Sequence, residues 1–457
     1  MKIAFYINGG YEPILTRLAK ELSEFNIFAL CQNNLSYRSS LKDSVYISTK
    51  YLYSDFNSRY QNFSLNDDKE YSINLYSALS ADKSHFKRKS AKYQEKISMI
   101  MYEIFEEWIN DIKPDFVFFP IIESIDSMIF YQLCVTLNIK TVCYGHGRHI
   151  NRSFFTESHT ESLPFYYKFI TNSSEHDTLA ESFLCEFKLN NKVLIYSDFY
   201  KETSFSNVAL YSENIFVRFM RNLILSFTIE KHNQTLSLKV KFLVYIERII
   251  VPLEKVIYRL FEKIYVKPVS ILPSQFELFP LHFAPESSIN TPNPYFIDQI
   301  RAIEHIKFFN SNSNRVLLVK EHPAMYMRRP ISFYKRIKKM PFVRFVPLST
   351  KTSSLIEKAN KVYSITGTAA MEAFFHGVEW KLLGYNFQSD WLEDNPSKIN
   401  DPKSFIIDII KISSNFILLS PSKRNSKLNN VLFSNYNIIE MANNFRFHIY
   451  NTIKYSK

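Results

Sequence analysis

The chain has 457 residues, 46% hydrophobic and 22% charged, a balance that excludes a disordered or fibrous protein and calls for more than one core. Its net charge of +12 suits an anionic partner such as a nucleotide, an anionic glycan or a membrane surface, and without any nucleic-acid-binding motif nucleic acid is the weakest candidate. Cys31, Cys134, Cys143 and Cys185 stand in apolar surroundings without CxxC spacing, so they read as reduced thiols, and neither a metal nor a cofactor is expected.

Residues 2–7 form an apolar run that reads as a buried parallel strand. Gly9-Gly10 turns it into an amphipathic segment, 13–25, with Ile14, Leu15, Leu18, Leu22 and Phe25 on one face, and a second strand follows at 27–31. This opening belongs to a doubly wound α/β domain. Residues 32–92 are polar and read as irregular with helical pieces. A helix at 93–112 stops at Pro114, 115–119 is a strand, 125–137 a helix and 140–144 a strand ending at Gly145 and Gly147. A strand at 192–196 closes a first domain expected to span 1–204. No leader of signal-peptide length opens the chain, and no uncharged apolar run approaches the roughly 20 residues of a membrane span. The expectation is a cytoplasmic protein.

Residues 205–270 differ in character. Basic residues from Arg218 to Lys267 alternate with apolar ones at helical spacing, against four glutamates between 214 and 267. A basic amphipathic linker of this kind either lies in a membrane interface or packs between domains with its charges solvated. A second α/β pattern spans 271–400, with strands at 276–281, 315–320, 343–345, 361–365 and 381–383 and helices at 294–309, 333–339, 355–359 and 369–376. Gly367, Gly377 and Gly384 sit at its turns, where positive φ or close approach to a ligand is expected. Residues 401–457 read as helices returning to the first domain.

Three strand ends in the second domain carry side chains suited to an anion. Phe279-Pro280-Leu281-His282-Phe283-Ala284-Pro285-Glu286-Ser287 places His282 and Glu286 at the sheet edge. Lys320-Glu321-His322-Pro323 follows the next strand; Pro323 keeps His322 out of helical backbone, where its imidazole can meet a phosphate oxygen or a base. Arg328 and Arg329 are candidates for further phosphate contacts. Thr366-Gly367-Thr368-Ala369-Ala370-Met371-Glu372-Ala373 joins a strand to a helix, where hydroxyls and free N–H groups form an anion site and Glu372 suits ribose hydroxyls. A structural His-Pro turn and a threonine N-cap are the bland alternatives. Neither GxGxxG nor a P-loop is present.

In order, F-P-L-H-F-A-P-E-S, K-E-H-P and T-G-T-A-A-M-E-A-F-F-H-G resemble motifs of the bacterial capsule polysaccharide synthesis family, which includes 3-deoxy-manno-octulosonate (Kdo) transferases. The resemblance covers about residues 276–390 and reaches the amino-terminal half only in outline. It implies a GT-B glycosyltransferase: two Rossmann-like domains facing each other across a cleft, here with the basic helical segment inserted, the second domain holding a nucleotide sugar that is typically CMP-linked. The His-Pro and threonine motifs are also similar to those of bacterial sialyltransferases. Carried over, His322 and Pro323 contact the CMP, Thr366 and Thr368 beside Gly367 the donor phosphate, and Glu372 the ribose or base; His282, Glu286 and Lys320 share that edge.

An inverting enzyme also needs a base for the acceptor hydroxyl. Glu123, heading a helix after the 115–119 strand, comes first and His146 second; Glu12 and Asp126 stay open, since an acidic first-turn residue also simply suits the helix dipole. Arg148 and Arg152 are candidates for attracting an anionic acceptor. The expectation is an inverting, metal-independent glycosyltransferase of capsule or lipopolysaccharide O-antigen synthesis, using a donor such as CMP-Kdo and a glycan or lipid-linked acceptor, cytoplasmic with peripheral contact to the inner membrane. A CDP-polyol phosphotransferase of teichoic-acid type and a non-catalytic polysaccharide assembly or export protein remain open.

Overall fold

The computed structural model describes residues 1–8, 10–43, 45–63, 71–82, 90–150, 152–190, 269, 271–284, 287–309, 315–322, 325, 329–347, 350–419 and 426–456. Gly9, the strand expected at 192–196, the basic segment, Glu286, Pro323 and Arg328 lie outside these residues. The described chain forms two compact units, one of residues 1–180 and 404–456, the other of residues 181–403.

In unit 1, unbroken apolar runs become strands buried on both faces, as parallel sheets demand. Its strands are β1 (Lys2–Ile7), β2 (Asn26–Cys31), β3 (Ser48–Tyr51), β4 (Phe116–Phe119), β5 (Lys140–His146) and β6 (Ser153–Thr156), in the spatial order β3-β2-β1-β4-β5-β6. All run parallel except β6, which is antiparallel to β5. The sequence shows neither β3, a half-exposed polar edge strand, nor β6, four residues set directly behind a turn. Helices α1 (Glu12–Glu21), α2 (Asn34–Lys42), α3 (Phe56–Asn62), α4 (Leu75–Ala81), α5 (Ala91–Ile112), α6 (Ile125–Thr136) and α7 (Ser174–Asn190) follow in chain order, the residues of α7 from Glu181 on belonging to unit 2. Pro13 in the first turn and Lys113 at φ 51° fix the start of α1 and the end of α5.

Unit 2 repeats the plan with β7 (Phe276–Pro280), β8 (Val316–Lys320), β9 (Val343–Phe345), β10 (Lys361–Ser364) and β11 (Glu379–Leu382), all parallel and ordered β11-β10-β7-β8-β9. Its helices are α8 (Gln299–Phe309), α9 (Ile331–Lys338), α10 (Thr352–Ile356), α11 (Thr368–His376) and α12 (Phe387–Asp394). The helix expected over 294–309 divides into the 3-10 turn Pro294–Ile297 and α8, with extended backbone at Asp298. Among the described glycines only Gly377 has positive φ (72°), where it ends α11; the others do not need a left-handed backbone. Both units are Rossmann-like: the strand order reverses beside the first strand, between β1 and β4 and between β7 and β10. In open α/β sheets a ligand crevice opens at the carboxyl ends of those two strands.

Helices α13 (Pro402–Ile412), α14 (Ser426–Leu432) and α15 (Asn435–Tyr455) end the chain, and α15 lies on the unit 1 sheet. Its Phe445 stands 6.2, 5.4 and 5.1 Å from the rings of Phe5, Phe118 and Phe155. Burying a ring of this kind contributes about 1.5–3 kcal/mol. No described helix is long and apolar enough to cross a membrane.

One turn after Phe445, His448 is fully buried, its Nδ1 3.0 Å from the Tyr166 hydroxyl. Burial pushes its pKa down to about 3, from an ordinary value of about 6.5. Below pH 6.5 the unfolded chain therefore binds a proton that the folded chain refuses. Unit 1 is expected to lose stability as pH falls from about 6.5 toward about 3, this histidine adding at most about 1.4 kcal/mol per pH unit. Urea unfolding across that range checks it: His448→Gln should lower the slope by roughly one proton, and an unchanged slope refutes the assignment.

Candidate active site

At the reversal point of unit 2, period-two alternation along the strands sorts the edge residues. Pro280 pairs in register with Lys320. Lys320 and Ser364, the last residues of β8 and β10, are buried, as is His282, two residues beyond β7. His282 Nε2 lies 3.1 Å from Ser364 Oγ, and that hydroxyl accepts the Gly367 N–H at 2.9 Å. His282 N–H donates to Gln299 Oε1 (2.9 Å) and its carbonyl accepts from Gln299 Nε2 (3.1 Å), so the ring stands on a fixed backbone. Thr368 opens α11 directly beside this contact, and the first N–H groups of that helix have no intrahelical acceptor.

On the next strand Lys320 is the last residue, and Glu321 and His322 follow it in the loop. The Glu321 carboxylate accepts Arg329 Nε at 3.1 and 3.0 Å, the Tyr334 hydroxyl at 2.7 Å and the His322 N–H at 2.7 Å. Arg329 also donates Nη2 to the His282 carbonyl. One buried ion pair thus ties the loops after β7 and β8 together, and Arg329 serves that clasp instead of the phosphate role expected for it. The His322 ring packs edge-on against Phe283 at 5.9 Å. Burial, with the charges of Arg329 and Lys320 adding, pushes the His322 pKa down to about 4, so the ring is neutral at pH 7. Burial pushes Lys320 down to about 8, which leaves it mostly charged at that pH.

The residues expected to hold the donor therefore fall into three groups. His282, Lys320, His322, Gly367 and Thr368 gather along the edge of β10, β7 and β8. Thr366 and Glu372 are buried, and the Thr366 carbonyl accepts from Asn386 Nδ2 at 3.2 Å. Glu286 and Pro323 lie outside the described residues. The close approach that requires glycine at 367 is made by a side chain: a Cβ there would sit 2.6 Å from His282 Nε2 and 2.9 Å from Ser364 Oγ. Ser364, Gln299 and Tyr334 escape the sequence reading; for Ser364 the signal was a hydroxyl ending an apolar strand.

At the reversal point of unit 1, the Asn8 amide spans the crevice, donating Nδ2 to the Ile121 carbonyl at 2.9 Å. Glu123 is half-buried near Tyr11, whose pKa is raised by burial and by the Glu123 charge. Asp126, Glu12 and His146 hold partners within unit 1. Asp126 is 1% exposed and accepts the Tyr6 hydroxyl at 2.7 Å and Gln32 Nε2 at 2.8 Å. Glu12 is buried and accepts from Thr16. His146 Nδ1 accepts the Arg148 N–H at 2.9 Å, so in the neutral ring Nε2 carries the hydrogen and no lone pair is left to act as base. Arg148 pairs with Glu161 at 2.8 Å, and Arg152 is bound to Ser413 and Asn415, so both serve the fold.

No family model matches the chain, and no curated protein matches it. Among solved structures it is similar to the UDP-GlcNAc 2-epimerase from Methanocaldococcus jannaschii, with 13% identity and a TM-score of 0.23 over 98% of this chain and 100% of that one. The UDP-GlcNAc 2-epimerase from Neisseria meningitidis bound to UDP-GlcNAc gives 11% and 0.23 over 99% and 100%. KpsC, a beta Kdo 2,7 transferase from Thermosulfurimonas dismutans, gives 12% and 0.28 over 62% of this chain and 70% of that one.

Two substitutions probe the edge. Gly367→Ala is expected to cost about 1–3 kcal/mol, because the His282 ring cannot vacate the space, and urea unfolding measures it; a neutral result refutes the packing argument. Arg329→Met leaves the buried Glu321 charge without its ion-pair partner at a cost of about 3–5 kcal/mol. Adding Glu321→Gln should recover part of that loss, as a double-mutant cycle would reveal.

Proposed function

We propose that the chain is an inverting glycosyltransferase of GT-B type, taking a CMP-activated sugar acid of the ulosonic kind at the unit 2 edge and an acceptor hydroxyl at the unit 1 edge. The observation that carries this reading is the meeting of His282, Ser364 and the start of α11 at the reversal point of the second sheet, with Lys320 and His322 one strand away. One helix start, one hydroxyl and one lysine suit a single phosphate, which is what a CMP-sugar carries.

Transfer breaks the bond between anomeric carbon and phosphate oxygen and forms one to the acceptor oxygen. Glu123 takes the acceptor proton. Negative charge grows on the departing CMP, where the first N–H groups of α11, the Thr368 hydroxyl, the Lys320 ammonium and an N–H of neutral His322 oppose it from fixed positions. These groups supply the positive field, so the mechanism invokes no divalent ion. The product is a surface polysaccharide of capsule or O-antigen type, and the basic residues between 205 and 270 hold the enzyme near a lipid-linked acceptor.

Thermal-shift measurements with CMP, CDP, UDP and GDP test the donor. CMP at a hundred times its Kd should add about 2.7 kcal/mol of stability; stabilisation by UDP or GDP and not by CMP overturns the reading. Turnover of CDP-glycerol without CMP release from CMP-sugars would favour the polyol alternative.

Lys320 gives a pH signature. An anion binds its charged form, so affinity for CMP is expected to hold below pH about 8. Above that it should fall, approaching roughly tenfold per pH unit. Lys320→Met should weaken binding at pH 7 and flatten the profile; an unchanged profile in the variant excludes the contact.

A further inference from the structure

The floor of unit 1, at the amino-terminal ends of its parallel strands, carries an apolar face rimmed by lysines. Phe169 is 55% exposed and stacks on Tyr455 at 4.8 Å, while Tyr450 and Ile453 are 62% and 42% exposed. Lys140 Nζ reaches Ser456 Oγ at 3.4 Å, and Lys454 Nζ lies 4.8 Å from the Tyr455 ring and 5.8 Å from the Tyr450 ring. Lys140, Lys168 and Lys454 are all exposed. Glu157 in this corner is half-buried and accepts from Thr452. Helix α15 therefore presents two apolar faces: Phe445 and Ile449 inward, Tyr450 and Ile453 outward.

We propose that this face seats the protein on an anionic lipid bilayer. Exposed phenylalanine, tyrosine and isoleucine interleaved with lysine match the headgroup zone of a membrane, where rings enter the acyl boundary and ammonium groups meet lipid phosphates. A protein partner fits less well, because lysine is depleted from protein interfaces. The face is argued from its own residues and is independent of the nucleotide assigned to unit 2.

The full chain is tested with phosphatidylglycerol and phosphatidylcholine vesicles. Its native tryptophans, Trp108, Trp380 and Trp391, are buried, so Phe169→Trp installs a reporter on the face. Tyr450→Trp provides a second reporter should the first fold poorly. The expected result is a blue-shifted emission with phosphatidylglycerol and none with phosphatidylcholine. Lys140→Gln with Lys454→Gln should weaken phosphatidylglycerol binding roughly 25-fold, about fivefold for each lysine. The proposal is overturned if the protein fails to bind phosphatidylglycerol vesicles or binds them with both reporters silent. A blue shift that appears with protein concentration alone, marking self-association, overturns it as well.

Discussion

Ser364 serves two neighbours at once, the ring of His282 and the N–H of Gly367, and the rest of the unit 2 edge is built around that double contact. It fixes how near the loop after β7 comes to the start of α11. A side chain at 367 would need the space the imidazole already holds. The backbone that carries the imidazole is fixed, because Gln299 grips it on both sides and Arg329 holds its carbonyl. Through Arg329 the restraint passes to Glu321 and on to the N–H of His322. Three loops therefore share one geometry, and a change in any of them is felt in the others.

The two units reach their edges by different economies. In unit 2 the acidic residue of the motif, Glu321, is consumed in holding loops between the lysine and histidine that flank it in sequence. In unit 1 three of the four candidate bases are consumed: Asp126 by Tyr6 and Gln32, Glu12 by Thr16, and His146 by the backbone of Arg148. Buried polar groups must find partners, and here the partners are internal. Glu123, half-buried after β4, lies near the Tyr11 hydroxyl.

Much of the α/β plan was legible because parallel strands buried on both faces leave unbroken apolar runs. Residues 2–7 and 343–345 read as strands and are β1 and β9. β3 was not legible, since Ser48–Tyr51 lies at a sheet edge with little to bury, and β6 is the antiparallel return of β5 set directly behind a turn, outside the βαβ pattern. At the site, histidines and threonines stand out as letters, whereas the work of Ser364, Gln299 and Tyr334 depends on neighbours 82, 17 and 13 residues away. That Arg329 would follow Glu321, instead of pointing toward a ligand, became visible only in three dimensions.

Among the described residues unit 1 consists of a segment up to residue 180 and a second from 404, in which Phe445 completes an aromatic cluster begun by Phe5. During synthesis the first half of that core must wait, with Phe5, Phe118 and Phe155 uncovered, until the last helix clears the ribosome. The nascent amino-terminal half is therefore in need of chaperone protection, and removal of α15 would strike the amino-terminal fold.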